Sequence, residues 1–301
     1  MFFRNPLDPI RRHVVTLVKQ LIRIRQTLVL VQEALGRIEA RQCAASNSPN
    51  LQDHEFKVFS QWGEDGILQF LLRRVPISRK IFIEFGVENY TESNTRFLLT
   101  NDNWSGLVID GSQEHVDFIR NDSIYWRHNL KACCAFITRD NINDLFRQNG
   151  LSGEIGLLSI DIDGNDYWVW EQIDAVQPAI IVAEYNSRFG PERAVTVPYD
   201  PNFVREKAHY SCAYYGASLA ALVALGKRKG YAFVGSNSAG NNAFFVRRDL
   251  RPDELPELSA ADGYVRRQFR EARDEQGLLA HLSPEEETAL IAQLAVVEVA
   301  Q

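Results

Sequence analysis

A chain of 301 residues, 24% charged and 45% hydrophobic, has the composition of an ordinary soluble protein and suffices for one large or two small domains. Its net charge of −6 is uneven, because residues 1 to 42 carry eight Lys/Arg against three Asp/Glu and the rest carry 25 against 36. That acidic body excludes nucleic acid as the main partner, since phosphate contacts need a basic face. No stretch approaches eighteen uncharged apolar residues, so no membrane span is expected. Cys43, Cys133, Cys134 and Cys212 lack C-x-x-C spacing and read as reduced, mostly buried thiols of a cytoplasmic protein. Arg4, Arg11 and Arg12 precede apolar residues in the manner of a secretory signal, but Lys19, Arg23 and Arg25 break the uncharged core that a signal requires.

Within residues 1 to 41, Val14, Leu17, Leu21, Ile24, Leu28, Val31, Leu35 and Ile38 are spaced alternately three and four apart. Four heptads without an error predict a coiled coil, and hence a homo-oligomer through residues 14 to 38. Leu mostly at one seam position and Ile or Val mostly at the other lean toward more than two strands. Val15, Ile22 and Val29 add a second apolar stripe. The rival reading is a basic amphipathic helix in peripheral contact with an acidic membrane surface. Residues 42 to 54 are small and polar and read as a linker.

A main domain is expected over residues 55 to 250. Ser60-Gln61-Trp62-Gly63-Glu64-Asp65 leads into an apolar-periodic helix from Ile67 to Val75. The strand Ile81–Phe85 carries Glu84 and ends at Gly86. A second strand from Gly106 ends at Asp110, about 25 residues later. In a doubly wound parallel sheet a glycine turn lets a ligand approach the backbone, and an acid after the second strand accepts hydrogen bonds from ribose hydroxyls. There is no G-x-G-x-x-G, and Glu88 and Glu92 in the loop would repel a pyrophosphate. Acids there instead suit a ligand with a sulfonium and an ammonium group, as in S-adenosylmethionine. The competing reading makes Glu84 a plain strand-end residue and Asp110 a helix cap.

A third strand is placed around Ala132 to Ile137. Residues 157 to 187, with two apolar runs about fifteen residues apart, predict strand, crossover helix and second parallel strand. Alternation puts Asp161 and Asp163 on one face of their strand, and likewise Glu184 and Asn186 on one face of theirs. Parallel strands present their carboxyl ends to a common crevice, so these groups should converge there. Crowded carboxylates either raise a pKa or hold a cation, and all-oxygen ligands suit Mg²⁺, Mn²⁺ or Ca²⁺. The expected metal set is Asp161, Glu184 and Asn186, and Asp163-Gly164-Asn165-Asp166 also reads as a turn and helix cap. The loop from Ser187 to Phe203 is too long and irregular for a mere connection. Tyr231 to Gly235 and Ala243 to Val246 form a closing hairpin. Residues 251 to 301 read as a charged helical extension that docks through Leu255 to Leu258, Phe269 and Leu278 to Leu282.

Taken together, Ser60-Gln61-x-Gly63-Glu64-Asp65, Phe82-Ile83-Glu84-Phe85-Gly86-Val87 with Ser93-Asn94-Thr95, Gly106-Leu107-Val108-Ile109-Asp110 and Ile160-Asp161-Ile162-Asp163-Gly164 resemble the FkbM-like methyltransferases over roughly residues 55 to 250. The resemblance implies a class I methyltransferase: an α/β Rossmann-like sheet of seven strands, the last antiparallel, using S-adenosylmethionine for O-methyl transfer. It implies cofactor contacts at Glu84, Gly86, Asp110, Gln61, Asn94 and Thr95. The fourth strand departs from the family, with D-I-D-G where many members show D-V-E-G. That form is similar to metal-dependent sugar O-methyltransferases, although Glu184-Tyr185-Asn186 replaces their second pair of acids. Transfer to a hydroxyl needs a base or Lewis acid beside it. The expected roles are Asp161 as ligand, Asp163 as base and His209 as reserve base, acting on a saccharide or glycoconjugate, with Trp168, Tyr185, Tyr214 and Tyr215 as candidate stacking walls. A scaffold built on a degenerate methyltransferase fold is the alternative, and a nucleotide-binding sheet with other chemistry a third.

Overall fold

The computed structural model describes residues 8–300; Arg4 and the rest of residues 1–7, like Gln301, lie outside them. Seven strands form one sheet: β1 (Ile81–Phe85), β2 (Ser105–Asp110), β3 (Leu130–Cys134), β4 (Gly153–Ile160), β5 (Val176–Glu184), β6 (Tyr231–Ser236) and β7 (Asn242–Arg247). Their spatial order is β3-β2-β1-β4-β5-β7-β6. The first five pair in parallel, and β7 runs antiparallel between β5 and β6. This is a doubly wound, Rossmann-like sheet of seven strands with its last strand antiparallel, as expected.

The strands are apolar because both faces are covered. Ile83, Leu158 and Ile181 face one core cluster while Phe82, Leu157 and Ile180 face the other, so each successive residue changes sides. The parallel register pairs Phe85 with Ile109 and Ile160 with Ala183, which aligns the carboxyl ends of β1, β2, β4 and β5 along one rim. The strand order reverses beside β1, at the boundary with β4, where open α/β sheets bind ligands.

Helix α1 (Asp8–Ala44) is continuous, and residues 11–28 are exposed along their whole length. From Val29 onward one stripe of α1 meets the body, where Ala40 joins a cluster with Phe56, Val58, Phe59 and Phe97. The stretch read as a linker is helix as far as Ala44, and its end, Leu51–His54, is a 3-10 turn whose Leu51 and His54 are buried. No described helix is long and apolar enough to cross a membrane.

The C-terminal extension is less helical than its charge pattern implies. Among its described residues only Ala260–Gly263 and Pro284–Ala292 are helical; the remainder is extended or turned, lying first against β6, where Leu258 N–H donates to the carbonyl of Phe233, and from Tyr264 onward against the loop that follows β5. Val195–Thr196 of that loop pairs antiparallel with Val297–Glu298. Leu255 docks as expected at 1% exposure, whereas Leu278 and Leu279 stay exposed at 67% and 55%. The turn Asp274–Leu278 closes on itself by hydrogen bonds and projects both side chains outward.

Candidate active site

The loop after β1 is forced into a tight reversal. Gly86 has φ +60 and donates its N–H to the carbonyl of Ile109 at 3.0 Å. A Cβ on Gly86 would lie 2.0 Å from the carbonyl oxygen of Asp161, so only glycine lets the loops after β1 and β4 touch. Glu88 and Tyr90 continue with positive φ. Asp110, at the end of β2, fixes this loop by accepting the Glu88 N–H at 2.8 Å, while its other oxygen accepts Ser112 N–H at 2.8 Å and faces His115 Nδ1 at 3.1 Å.

Glu84 is buried and is committed to the loop ahead of helix α3 (Arg96–Asn101). It accepts from Ser93 Oγ at 2.8 Å, Asn94 N at 2.8 Å, Thr95 N at 3.1 Å and the Thr95 hydroxyl. Burial raises its pKa, opposed by those hydrogen bonds from Thr95, Ser93 and Asn94. Asn94 in turn donates to Ser159 Oγ on β4 at 3.0 Å. The S-Q-x-G-E-D segment is likewise built from within. Asp65 accepts three backbone N–H groups, from Val58, Phe59 and Ser60, at 2.7 to 2.8 Å. Glu64 receives Asn237 and Asn242 amides from the hairpin at 2.7 and 2.8 Å. Helix α2 (Glu64–Arg74) thereby starts at a fixed point, with Gln61 turned to the rim.

After β4 the chain turns through Asp163, at φ +55. Asp166 accepts the N–H groups of Ile162 and Gly164 at 2.8 and 2.9 Å, so the D-G-N-D segment is indeed a turn, but it does not cap the next helix: Asn165 stands at the cap position and makes no side-chain cap bond. The carboxylates of Asp161, Asp163 and Glu184 come together, with one oxygen of each within 4.8 Å of the others. Burial first, and then the charge of Asp163, raises Asp161 well above an ordinary carboxylate; burial and then Asp161 do the same to Glu184. Against them stands Arg205, paired with Asp163 at 2.5 Å and Glu271 at 2.6 Å and lying 3.9 Å over the ring of Tyr215. Burial alone would lower its pKa, but Tyr215, Asp163, Glu271 and Glu184 raise it on balance.

These groups line one cavity of about 460 Å³ at the carboxyl rim. Gln61, Glu84, Gly86, Asn94, Asp110, Asp161, Asp163 and Glu184 all border it, joined by Phe136, Phe203, Arg205, Phe269 and Glu271. Three expected site residues do not. Thr95 spends its N–H and hydroxyl on Glu84 and Tyr90. Asn186 is buried past the end of β5, where the chain leaves the strand and alternation no longer holds; its amide donates to the carbonyls of Ala213 and Tyr215 and accepts from Arg188. Asp163 takes its place among the clustered oxygens. His209 pairs with Ser211 Oγ at 2.7 Å away from the cavity.

Nor do the candidate stacking residues reach the cavity. Trp168 donates to the carbonyl of Val197, Tyr185 to that of Val265 and Tyr214 to that of Ala295. Tyr215 stands behind Arg205 and contacts Glu184 and Glu271 at 3.4 and 3.3 Å. Arg205, Phe269 and Glu271 were missed by the sequence reading because they reach the rim from an irregular loop and the C-terminal extension, which no strand-end rule addresses. The arginines that follow the cluster of acids, Arg188, Arg193 and Arg205, are the signal that points to a counter-charge, although spacing does not say which of them supplies it.

No family model and no curated protein matches the chain. Among solved structures it is similar to the N-terminal domain of EvdMO1 with SAH bound, at 13% identity over 70% of this chain and 94% of that one, with a TM-score of 0.40. The same domain in the presence of SAH and D-fucose gives 12% identity, 61% and 80% coverage and 0.38. An O-methyltransferase from Bacillus cereus in complex with SAH gives 14%, 70% and 89%, and 0.35. Likeness at this level says nothing of the chemistry of this chain.

Proposed function

We propose that the chain is an S-adenosylmethionine-dependent O-methyltransferase acting on a sugar hydroxyl. One observation carries the reading: the Gly86 turn, the Asp110 carboxylate, the half-buried Asp161 and the buried Glu184 border a single cavity at the strand-order reversal. The four free cysteines favour a reducing, cytoplasmic setting.

When bound, the cofactor supplies an electrophilic methyl group on sulfur; transfer breaks the S–C bond, forms an O–C bond to the acceptor, and leaves the hydroxyl proton for a base. The chain's own residues divide the rest of the work. The bare backbone at Gly86 admits a ligand that a side chain would exclude. Asp110 has lone pairs left after its loop contacts and accepts hydroxyl hydrogens at the end of β2. Asp161 and Glu184, whose pKa values burial raises, are stronger bases than ordinary carboxylates, and they take the role of proton acceptor better than Asp163, which is tied to Arg205. Carboxylates crowded beside Asn241 and Asn242 offer several acceptors to a polyhydroxyl compound, and Phe269, stacked on Trp62 at 4.8 Å, adds an apolar face for a sugar ring.

The all-oxygen set of Asp161, Asp163 and Glu184 also fits Mg²⁺ or Mn²⁺. An ion there would act as a Lewis acid on the acceptor hydroxyl.

Calorimetry of the full chain with S-adenosylmethionine, with and without Mg²⁺ or Mn²⁺, tests the reading, followed by a search for a mass gain of one methyl group on glycan and glycoconjugate acceptors. Absence of cofactor binding under every metal condition would reject the enzyme and leave an assembly role for the fold.

A further inference from the structure

We infer that the seam of α1 is an interface for further copies of this chain. Two apolar stripes run along the helix. One, through Val29, Gly36, Ala40 and Cys43, faces the body: a Cβ on Gly36 would stand 2.4 Å from Val58 Cγ2 and 3.2 Å from the Phe97 ring, and Ala40 is 5% exposed. The other is the seam from Val14 to Ile38. At 3.6 residues per turn its centre lies about 110° around the axis from the docked stripe. The seam residues are therefore 48% to 65% exposed, and those beside the body, Leu35 and Ile38, are as open as those far from it.

The geometry leaves the helix incomplete. The apolar side chains from Val14 to Leu28 stay exposed, and a helix with large apolar side chains along an unsupported length gains little from propensity alone. A surface that merely needed an apolar patch would not keep strict three-four spacing through four heptads; knobs-into-holes packing of like helices does require it. At roughly 100 Å² of exposed surface for each seam residue, the seam offers about 800 Å² per copy, the area that each partner contributes to a stable interface of standard size. Because the docked stripe is on another side, copies can join along the seam without moving the body or blocking the cavity at the sheet rim.

Light scattering on the full chain at micromolar concentration should give at least twice the single-chain mass of 34.3 kDa. The double variant Leu21→Lys, Leu28→Lys changes two exposed seam positions that precede the first contact with the body; it should run at 34.3 kDa with the melting temperature of the body unchanged. A wild-type mass of 34.3 kDa, or a double variant that stays assembled, would overturn the inference. A wild-type monomer that sediments with anionic phospholipid vesicles would assign the seam to a membrane surface instead.

Discussion

Glu84→Gln tests whether this acid touches the ligand directly or acts by holding the 93–95 loop. Its carboxylate accepts four hydrogen bonds, one on Oε1 from Asn94 N and three on Oε2 from Ser93 and Thr95. A glutamine keeps a single acceptor. The less damaging orientation leaves its oxygen with Ser93 and Thr95 and sets its NH₂ against the half-buried N–H of Asn94. Losing one hydrogen bond to a charged acceptor and stranding a backbone donor costs about 2 to 4 kcal/mol. Relief of the charge that burial disfavours returns part of this, for a net loss of about 2 kcal/mol. In a chain of this size that lowers the melting temperature by roughly 4 °C, read by thermal unfolding without ligand. Because Asn94 borders the cavity, S-adenosylmethionine affinity should fall together with stability, and Ser93→Ala should show a weaker version of both. Unchanged unfolding with lost binding would refute the positioning role and make Glu84 a direct contact.

Asp110→Ala should weaken S-adenosylmethionine binding about 10- to 100-fold by calorimetry, the loss of one charged hydrogen bond with its loop support; an unchanged Kd would remove Asp110 from the cofactor site. Burial pushes Asp65 from 3.8 to about 6, against the pull of the backbone N–H groups of Ser60, Val58 and Phe59. The folded state then binds a proton that the unfolded chain has released, so this contribution to stability is full below pH 4 and is lost as pH rises through 6, by about 3 kcal/mol. Relative to Asp65→Asn, which has no such titration, the wild type should lose that amount in urea unfolding between pH 4 and 7; parallel pH curves would contradict it. Arg205→Met removes the cation that offsets Asp163 and Glu271. The variant should melt lower and recover more with Mn²⁺ than the wild type does, and indifference to the ion would argue against metal binding by the three carboxylates.

The sheet was legible because its signals are local. Apolar runs such as Ile81–Phe85 and Ala179–Ala183, separated by helical lengths, need only two-residue alternation and a buried parallel sheet to be placed. The same reasoning brought Glu84, Asp110, Asp161 and Glu184 to one rim, since each stands at a strand's carboxyl end. It failed one step past a strand. Asn186 follows Glu184 by two residues, yet the chain has already turned into Ser187–Phe189, and its amide serves that turn. Thr95 shows the other limit: a motif residue at the right place in sequence can be spent on its neighbour, and only the hydrogen bonds reveal that Glu84 consumes it. Arg205 and Glu271 lie in segments without period, where sequence spacing carries no distance information.

The C-terminal extension is where charge pattern misled most, and its arginines and acids explain why. Arg188 is nearly enclosed and pairs with Glu271 and Glu287, each at 3.3 Å. Arg267 pairs with Glu271 at 2.7 Å. Charges that look like a solvated helix face in the sequence are instead the ties between the extension and the loop after β5. Buried ion pairs contribute little net stability over apolar contacts, but breaking one side is costly because the partner charge is stranded. The network therefore acts chiefly to define one position for Glu271, and through it for Arg205 and the acids that Arg205 faces. Without that lattice the carboxylates of Asp163 and Glu271 would lose their fixed place beside Arg205, and with it the site would lose the cation that opposes the burial and like charges raising Asp161 and Glu184.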